Sequence, residues 1–437
     1  MLRIPDRKHL ASHDVLSSNE QPTSGLFVSG FVPWTHETLS AGIGQRFILM
    51  LEAHCRAWDN IFVLLLTADP KANSIGQVQF VRKLIQDRLN QSVSINVMRV
   101  DSASDDAPKP IRRVVDYFRP PLPPFTLSEN SLRELRQFIL KLRPSAIFAH
   151  RLLTFRAIRL AGMAKLSPII LDLDDIEHIA HFRSIITPPY YLTKKLGAWH
   201  CLSLFREERV ATMLCKKIIV CSRLDASKMK RAFRAGSYLV SPNAVALPGY
   251  YSINLNQKRD RNVLFVGALG YMPNLAGMQW FLDCVWPTVL RSRPDARLII
   301  AGRGGDKLKI PNQISETVQV LGFVQSLDNF YKSASVAICP IFSGGGTRIK
   351  IIEAAAHGVP VVSTALGAEG LDFKDNHSIL IRENPSSFSQ AIVELMTNEE
   401  IANHISDMAG RVIFDYYERG FVIDELVSAL REEYLTC

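Results

Sequence analysis

Residues 335–364 read SVAICPIFSGGGTRIKIIEAAAHGVPVVST, and the pattern within this stretch decides the fold. It begins with the short β-branched run SVAICP and ends with a second such run, VPVVST. The loop IFSGGG lies between them, followed by Thr347 to His357, where Ile349, Ile352 and Ala356 recur at helical spacing. A strand, a loop, a covering helix and another strand form the repeating unit of a parallel sheet.

The same alternation of short apolar runs with helical stretches extends over the rest of the chain. Six strand-like runs stand before residue 245 and six after it: GLFVSG, NIFVLLL, SAIFAH, PIILDL, KIIVCS and YLVSPN, then NVLFVG, RLIIAG, VQVLG, SVAICP, VPVVST and SILIR. Between the two series, LPGYYSINLNQKRDRN has turn formers and charge but no sustained periodicity. The pattern predicts an α/β fold of two Rossmann-like, doubly wound domains that face each other across a ligand-binding cleft.

The length of the chain sets the number of domains that we expect. At 437 residues it exceeds the roughly 250–300 residues at which a single core stops growing. We predict a loose or disordered tail over 1–24, a first domain over 25–246, a linker over 247–261, and a second domain with C-terminal helices over 262–437. The sequence has no run near the roughly 20 apolar residues of a membrane helix and no secretory leader, and its seven cysteines lack paired spacing. These features predict a cytoplasmic location.

The glycine loop and the helix after it predict a site for an anionic ligand. Gly344–Gly346 stand just before the helix N-terminus, where unpaired backbone N–H groups bind phosphate. Arg348 and Lys350 occupy the first helical turn, where the helix dipole disfavours positive charge, so their position indicates a nearby anion. Glu353, one turn further, is suited to accept hydrogen bonds from a ribose. The alternative is an exposed helix face with a weak Lys350–Glu353 pair.

Residues 262 to about 380 resemble the donor-site domain of the retaining GT-B glycosyltransferases of family 4, the "glycosyl transferases group 1" proteins. The segments that carry the resemblance are NVLFVGALGYMPN, RLIIAGRG, VQVLGFVQSLDNFYKSASVAICPIF and GGGTRIKIIEAAAHGVPVVSTALGAEGL; in the first half, GIGQRF and IILDLDDIEH are similar as well. The resemblance implies transfer of a sugar from a nucleotide diphosphate sugar to an acceptor, with retained anomeric configuration, no cofactor and no metal. The donor would bind the second domain and the acceptor the first.

The resemblance also assigns binding residues. Glu353 matches the second glutamate of the family's E-x7-E motif, whereas the first falls at position 345, which is glycine here. The Arg and Lys that usually follow the first strand of the second domain are absent, and Arg348 and Lys350 are the expected replacements. The predicted donor-binding residues are Gly267, Arg303, Gly344, Gly345, Gly346, Thr347, Arg348, Lys350 and Glu353. On the acceptor side, Gly42, Gly44 and Arg46 are predicted to form a loop.

The carboxylates after the run PIILDL are the candidate catalytic groups. The family often has a histidine followed by an aspartate at this place, and this chain has Asp174 and Asp175, with His178 nearby. We predict Asp174, Asp175 and His178 as catalytic residues, with Asp174 accepting a proton or stabilising positive charge on the sugar. Alternatively, Asp174 and Asp175 cap the next helix with Asp172 as a partner, or the DLDD sequence binds a divalent metal.

The net charge of +9 is concentrated in one segment. His181 to Gly236 contain twelve basic and three acidic residues, so the remainder of the chain is neutral in sum. The basic residues are interleaved with Tyr190, Tyr191, Trp199 and Phe205, a composition that favours an anionic membrane surface. The predicted membrane-surface residues are Lys194, Lys195, Trp199, Lys216 and Lys217. The alternative is a solvated helix whose aromatic side chains pack on its own domain; no motif indicates a nucleic-acid partner.

Together these expectations describe a cytoplasmic glycosyltransferase, peripheral on the inner face of the plasma membrane. Its predicted partners are a nucleotide sugar and a lipid-linked or glycan acceptor, in polysaccharide or glycolipid biosynthesis. Two rivals remain open: a nucleotide-sugar epimerase or hydrolase of the same fold, and a non-catalytic nucleotide-sugar-binding scaffold.

Overall fold

The computed structural model describes residues 24–101, 127–187, 198–247 and 261–434, and these residues form two parallel β-sheets covered by helices. The first sheet has seven strands in the described chain, in the order β3-β2-β1-β4-β5-β6-β7. They are β1 Ser24–Ser29, β2 Asn60–Thr67, β3 Ser94–Arg99, β4 Ala146–His150, β5 Ile169–Leu173, β6 Lys217–Val220 and β7 Tyr238–Val240.

The second sheet has six described strands in the order β10-β9-β8-β11-β12-β13. They are β8 Asn262–Val266, β9 Arg297–Ala301, β10 Val318–Gly322, β11 Ala334–Cys339, β12 Val361–Ser363 and β13 Leu380–Ile381. The strand order reverses between β1 and β4 and between β8 and β11, and open parallel sheets bind ligands beyond the carboxyl ends of such strands.

The helices cover both faces of the sheets. Those of the first half are α1 His36–Ser40, α2 Gly42–Ala57, α3 Ile75–Leu89, α4 Glu129–Leu142, α5 Leu152–Leu160, α6 Glu177–Ile186, α7 Ala198–Leu214 and α8 Arg223–Phe233. Those of the second half are α9 Met272–Trp280, α10 Trp286–Ser292, α11 Asp328–Ser333, α12 Ile349–Ala356, α13 Pro385–Thr397, α14 Glu399–Val412 and α15 Arg419–Tyr434. A π-helical turn, Phe281–Val285, joins α9 to α10.

Burial on both faces explains why the strands read as continuous apolar runs. In β1, Leu26 and Val28 join one core while Phe27 joins the core on the opposite face. In β8, Phe265 and Leu264 divide in the same way between the two cores of the second sheet. Alternate strand residues point to opposite faces, so a strand covered on both sides has no polar side to show in its sequence.

The predicted fold class is confirmed, and all twelve predicted runs contain strands. The strand β3, Ser94–Arg99, was not predicted. Most of the predicted tail (1–23) and of the predicted linker (248–260) lies outside the described residues, and Ser24, assigned to the tail, already begins β1.

The last helix corrects the predicted second domain of 262–437. Helix α15 returns to the first domain, where Val422, Ile423, Leu426 and Leu430 are buried in the core that contains α2. Arg419 forms an ion pair with Glu52 of α2 at 2.7 Å. The apolar face of α15 therefore completes the first domain, although its sequence follows the second.

Candidate active site between the two domains

The carboxyl ends of both sheets face a cavity of about 760 Å³. Its first-domain wall comes from the ends of β1 and β4, the loop after β5, and helices α5, α6 and α7. Its second-domain wall comes from 270–273 and Gly344. The residues that line the cavity include Phe31, Leu66, Leu127, His150, Arg151, Asp175, Glu177, Ala180, Ser184, His200, Leu204, Tyr271 and Gly344.

The glycine loop has the backbone conformation that its composition requires. Gly344 and Gly346 have φ of 91° and 67°, in the left-handed region that favours glycine. Arg348 folds over this loop and donates to the carbonyl oxygens of Gly345 and of Gly346, the latter at 2.7 Å. Its buried Nε has no hydrogen-bond partner. Arg348 therefore holds the loop in shape and has a donor available beside it.

Lys350 is half-buried between α12 and the turn after β8. Its Nζ donates to Asn274 Oδ1 at 2.8 Å and lies 4.1 Å from the ring centroid of Phe265. A Cβ on Gly267, whose φ is 155°, would lie 2.7 Å from this ammonium, so the glycine lets Lys350 approach the turn without shifting. Burial lowers the pKa of Lys350 to about 8. The alternative of an exposed Lys350–Glu353 pair does not occur, because Lys350 bonds to Asn274 instead.

Glu353 lies in the cleft between partners from both domains. Its Oε1 accepts a hydrogen bond from Gln45 Nε2 of α2 at 2.9 Å, and its Oε2 accepts from the Tyr331 hydroxyl at 3.4 Å. Burial raises the pKa of the carboxyl group, and the Gln45 bond opposes this shift. The ribose role of Glu353 stays a prediction, and Gln45 is a partner that the sequence did not reveal.

The predicted acceptor loop is instead the start of a helix. Gly42 and Gly44 lie in the first turn of α2, and a Cβ on Gly44 would lie 2.5 Å from the Thr38 carbonyl oxygen. The Arg46 side chain is fully buried, pairs with Asp172 Oδ1 at 2.6 Å, and donates to the Ser241 carbonyl oxygen at 2.7 Å. Arg46 therefore does not reach the cleft, and its predicted acceptor contact is wrong.

The loop after β5 places Asp175 in the cavity lining, whereas Asp174 is not a lining residue and its Oδ1 accepts a hydrogen bond from Cys221 Sγ at 3.4 Å. Neither caps the next helix, because the N-cap of α6 is Ile176 and has no side-chain cap. Burial would raise the pKa of Asp174, but the guanidinium groups of Arg151 and Arg46 outweigh burial and lower it. Burial and the charge of Asp174 raise the pKa of Asp175 to about 6. Asp174 is therefore ionised, and Asp175 titrates nearer to neutrality.

Two further residues of this wall were not predicted. Arg151 directly follows β4 and has φ 74° and ψ 158°, a region that only glycine normally populates. Such strain costs about 1–3 kcal/mol and clusters at functional sites. Burial would lower the pKa of its guanidinium, but Asp174 and Glu177 raise it. Glu177 lines the cavity, and burial raises its pKa to about 7.

His178, predicted as catalytic, does not line the cavity. Its Nδ1 makes a very short hydrogen bond with Glu208 Oε2, and its backbone N–H donates to Glu208 Oε1 at 3.2 Å. Its ring lies edge-on to Phe205 of α7, with centroids 5.2 Å apart. His178 therefore connects α6 to α7, and its predicted contact with the reacting groups is wrong for this arrangement.

Contacts across the cleft hold the two domains together. Arg183 of α6 binds Glu369 in a bidentate ion pair at 2.7 and 2.9 Å and donates to the Gly344 carbonyl oxygen at 3.2 Å. Lys228 also reaches Glu369, at 3.1 Å. Thr347 accepts from Asn243 of the first domain at 2.9 Å, and the exposed Arg303 pairs with Glu37 of α1. Thr347 and Arg303, predicted as donor contacts, are thus engaged across the cleft.

The basic segment divides between the cleft and an outer surface. Trp199, Leu202, Arg206, Arg209 and Met213 are exposed along one stripe of α7, with Trp199 66% exposed. Lys216 is exposed, and Lys217 donates to Ser237 Oγ at 2.9 Å. Lys194 and Lys195, with Tyr190 and Tyr191, lie outside the described residues.

Neither a membrane-spanning helix nor a metal-binding cluster occurs in the described parts of the chain. None of their helices combines the length and apolar character that crossing a bilayer requires. Within 24–101, 127–187, 198–247 and 261–434, no three or more His, Cys, Asp or Glu side chains are grouped so that they could hold a metal ion. The residues Asp172, Asp174 and Asp175 therefore do not form a metal site in this arrangement.

Comparison with solved structures identifies the fold. Sucrose-phosphate synthase from Thermosynechococcus elongatus superposes with a TM-score of 0.65 at 14% identity, over 95% of this chain and 100% of that one. Anabaena HepE in complex with UDP-glucose superposes with a TM-score of 0.63 at 13% identity, over 94% and 99%. The two sheets and the cleft are therefore those of the GT-B glycosyltransferase fold.

The family model matches the second domain, and curated relatives match part of the chain. Residues 260–398 match the family model described as glycosyl transferases group 1, which is 139 of the 437 residues. A phosphatidyl-myo-inositol mannosyltransferase of Mycobacterium leprae is 30% identical over 146 residues, 32% of this chain and 38% of that protein. The chain spans 38–59% of the length of the four curated relatives that it matches.

Proposed function

We propose that this protein transfers a sugar from a nucleotide diphosphate sugar to an acceptor hydroxyl with retained anomeric configuration. The observation that carries the proposal is Glu353, which lies seven residues after a glycine loop with two left-handed residues and accepts a hydrogen bond from Gln45 of the first domain. A carboxylate at this place accepts hydrogen bonds from ribose hydroxyls, while the loop and the helix N-terminus bind the attached diphosphate. The family match over residues 260–398 includes both the loop and the helix.

Protein cations, rather than a metal ion, balance the diphosphate charge in this proposal. Arg348 has a buried, unpartnered Nε beside the loop, and Lys350 lies at the turn after β8. Both side chains sit at the N-terminal turn of α12, where the helix dipole adds further positive potential. Turnover should therefore survive EDTA. Loss of turnover in EDTA, with recovery on adding Mg²⁺ or Mn²⁺, would contradict this part of the proposal.

The reaction exchanges one bond at the anomeric carbon for another on the same face of the sugar. The bond to the diphosphate oxygen breaks as the bond to the acceptor oxygen forms, and the nucleoside diphosphate leaves with the electron pair. Asp174, which is ionised, stabilises the positive charge that develops on the sugar ring. Glu177, with a pKa near 7, is the cavity residue suited to take the acceptor proton.

The acceptor class is proposed from the first-domain side of the cavity. Phe31, Leu66, Leu127 and Leu204 give this side an apolar lining. The inner faces of α6 and α7 line the same cavity, through Ser184 and Leu204, while their outer faces expose apolar side chains. These outward side chains are Phe182, Ile186, Trp199, Leu202 and Met213. We propose a lipid-linked acceptor, met at the cytoplasmic face of an anionic membrane, in polysaccharide or glycolipid biosynthesis.

The test begins with nucleotide binding. Calorimetry with UDP, GDP and ADP should find one that the wild-type protein binds, and Glu353→Gln should weaken this binding by about 1.5–3 kcal/mol, as expected for loss of a charged hydrogen bond. Glu394→Gln, at an exposed glutamate of α13, is the matched control. An unchanged affinity in Glu353→Gln would refute the ribose role.

Turnover assays then separate the rival functions. A transferase consumes the sugar donor much faster when a lipid-linked or glycan acceptor is present. An epimerase or hydrolase consumes the donor at the same rate without an acceptor. A binding scaffold binds the nucleotide sugar and consumes none.

A further inference from the structure

Gly345 and Asp175 are fitted to each other across the cleft. A Cβ on Gly345 would lie 2.7 Å from both the carboxyl carbon and the Oδ2 of Asp175, and nearer still to Oδ1. At Gly346, by contrast, the nearest atom would be the Asp174 carbonyl oxygen, at 3.4 Å. The Asp175 side chain of the first domain therefore occupies the space that a side chain at position 345 would need.

The Asp175 carboxylate has hydrogen-bonding capacity left over. None of the residues in the described ranges donates a hydrogen bond to it in this structure, and it lines the cavity beside Gly344 and Tyr271. Arg348 and Arg151 are the opposing charges that act on it, and Asp174 is a like charge. The Asp175 carboxylate is a hydrogen-bond acceptor with unused lone pairs and lies against the glycine loop. It is therefore positioned for a ligand that donates hydrogen bonds.

We propose that Asp175 binds a hydroxyl group of the transferred sugar and so acts as a donor-specificity residue supplied by the first domain. This inference rests on the proposed function, because it takes the diphosphate to lie on the glycine loop. A sugar attached to that diphosphate extends from the loop into the cavity, where Asp175 is the adjoining carboxylate. A hydroxyl donates to a carboxylate, whereas a phosphate repels it, so the contact is with the sugar rather than the diphosphate.

The arrangement makes recognition of the sugar depend on closure of the cleft. Asp175 belongs to the first domain and Gly345 to the second, so the contact exists only while the domains are together. The Arg183–Glu369 pair, with Arg183 also bonded to the Gly344 carbonyl oxygen, fixes the closed position at the neighbouring residue. The glycine at position 345, which departs from the E-x7-E motif, allows this approach of Asp175.

The experiment compares the affinity for a nucleotide sugar with that for its bare nucleoside diphosphate. The probes are UDP-glucose and UDP-N-acetylglucosamine against UDP, GDP-mannose against GDP, and ADP-glucose against ADP, measured by calorimetry. The sugar-dependent part of the affinity is the ratio of the Kd for the nucleoside diphosphate to the Kd for the nucleotide sugar. In Asp175→Asn we expect this ratio to fall by about 10- to 100-fold, while the Kd for the nucleoside diphosphate stays as in wild type. Equal melting temperatures of variant and wild type establish that the variant is folded.

A reciprocal swap sharpens the test. Gly345→Glu alone should weaken nucleotide-sugar binding, because its side chain meets Asp175. The double variant Asp175→Ala with Gly345→Glu should recover most of the sugar-dependent affinity, since the carboxylate then comes from the loop itself. An unchanged preference for the sugar conjugate in Asp175→Asn would overturn the inference while leaving the proposed function intact. Tighter binding of the nucleoside diphosphate in that variant would also overturn the inference, since Asp175 would then repel the diphosphate rather than bind the sugar. A wild-type protein that binds none of the probes would overturn both proposals.

Discussion

Replacing Arg46 by methionine tests whether this residue is structural. The change leaves the carboxylate of Asp172, whose side chain is fully buried, without its partner at 2.6 Å, and leaves the Ser241 carbonyl oxygen without its donor. Removing one partner of a buried ion pair costs about 3–5 kcal/mol. For a domain of this size each kcal/mol lowers the melting temperature by about 2–4 °C, so we expect a decrease of roughly 6–20 °C.

The assay is thermal unfolding followed by near-ultraviolet circular dichroism, with Arg56→Met as a matched control on the same helix. The Arg56 side chain is 47% exposed and pairs with Glu52, so its loss should cost below about 1 kcal/mol. The double variant Arg46→Met with Asp172→Asn removes the unpaired charge and should recover part of the loss. A melting temperature of Arg46→Met within about 2 °C of wild type would refute the structural assignment and revive the acceptor contact.

Two further predictions concern the donor site and the outer surface. Burial lowers the pKa of Lys350 to about 8, so the side chain loses its charge as the pH rises through that value. The affinity of the wild-type protein for a nucleoside diphosphate should therefore fall between about pH 7.5 and 9.5. In Lys350→Arg, which keeps its charge, the affinity should stay constant over this range. A flat wild-type profile would show that Lys350 does not balance the diphosphate. The stripe on α7 should bind anionic vesicles more weakly as salt rises. The double variant Arg206→Gln with Arg209→Gln should reduce the fraction of protein that sediments with these vesicles. The control, Arg291→Gln with Arg297→Gln at exposed positions of the second domain, should leave that fraction unchanged. Equal sedimentation of both double variants would leave the membrane proposal without support.

The strands could be predicted from sequence because burial on both faces makes a parallel strand a continuous apolar run. The exception, β3, lies at the edge of its sheet, where only Ile95 is fully buried and SINVMR lacks such a run. The role of Arg46 could not be predicted locally, because its burial depends on tertiary contacts. An arginine after two glycines looks like a binding residue in the sequence. Its buried partner, Asp172, lies 126 residues away along the chain.

The parts of the predicted donor side are contiguous, so their proximity could be predicted from the sequence. The loop, its cations and Glu353 lie within ten residues, and local spacing indicates what they do together. The cross-cleft partners were not predictable, since Gln45 and Glu353 are 308 residues apart. Arg151 carries one signal in retrospect: it follows directly on His150 at the end of a strand next to the reversal of strand order.

Helix α15 has a consequence for anyone who recombines this protein with relatives. A chimaera joined at the linker would take α15 from the parent that supplies the second domain and press it against an α2 from the other parent. The buried Val422, Leu426 and Leu430 and the Arg419–Glu52 pair would then face a surface with which they did not coevolve. A functional exchange of donor specificity requires two crossover points, one in the linker and one near Glu418, so that the first domain keeps its own closing helix.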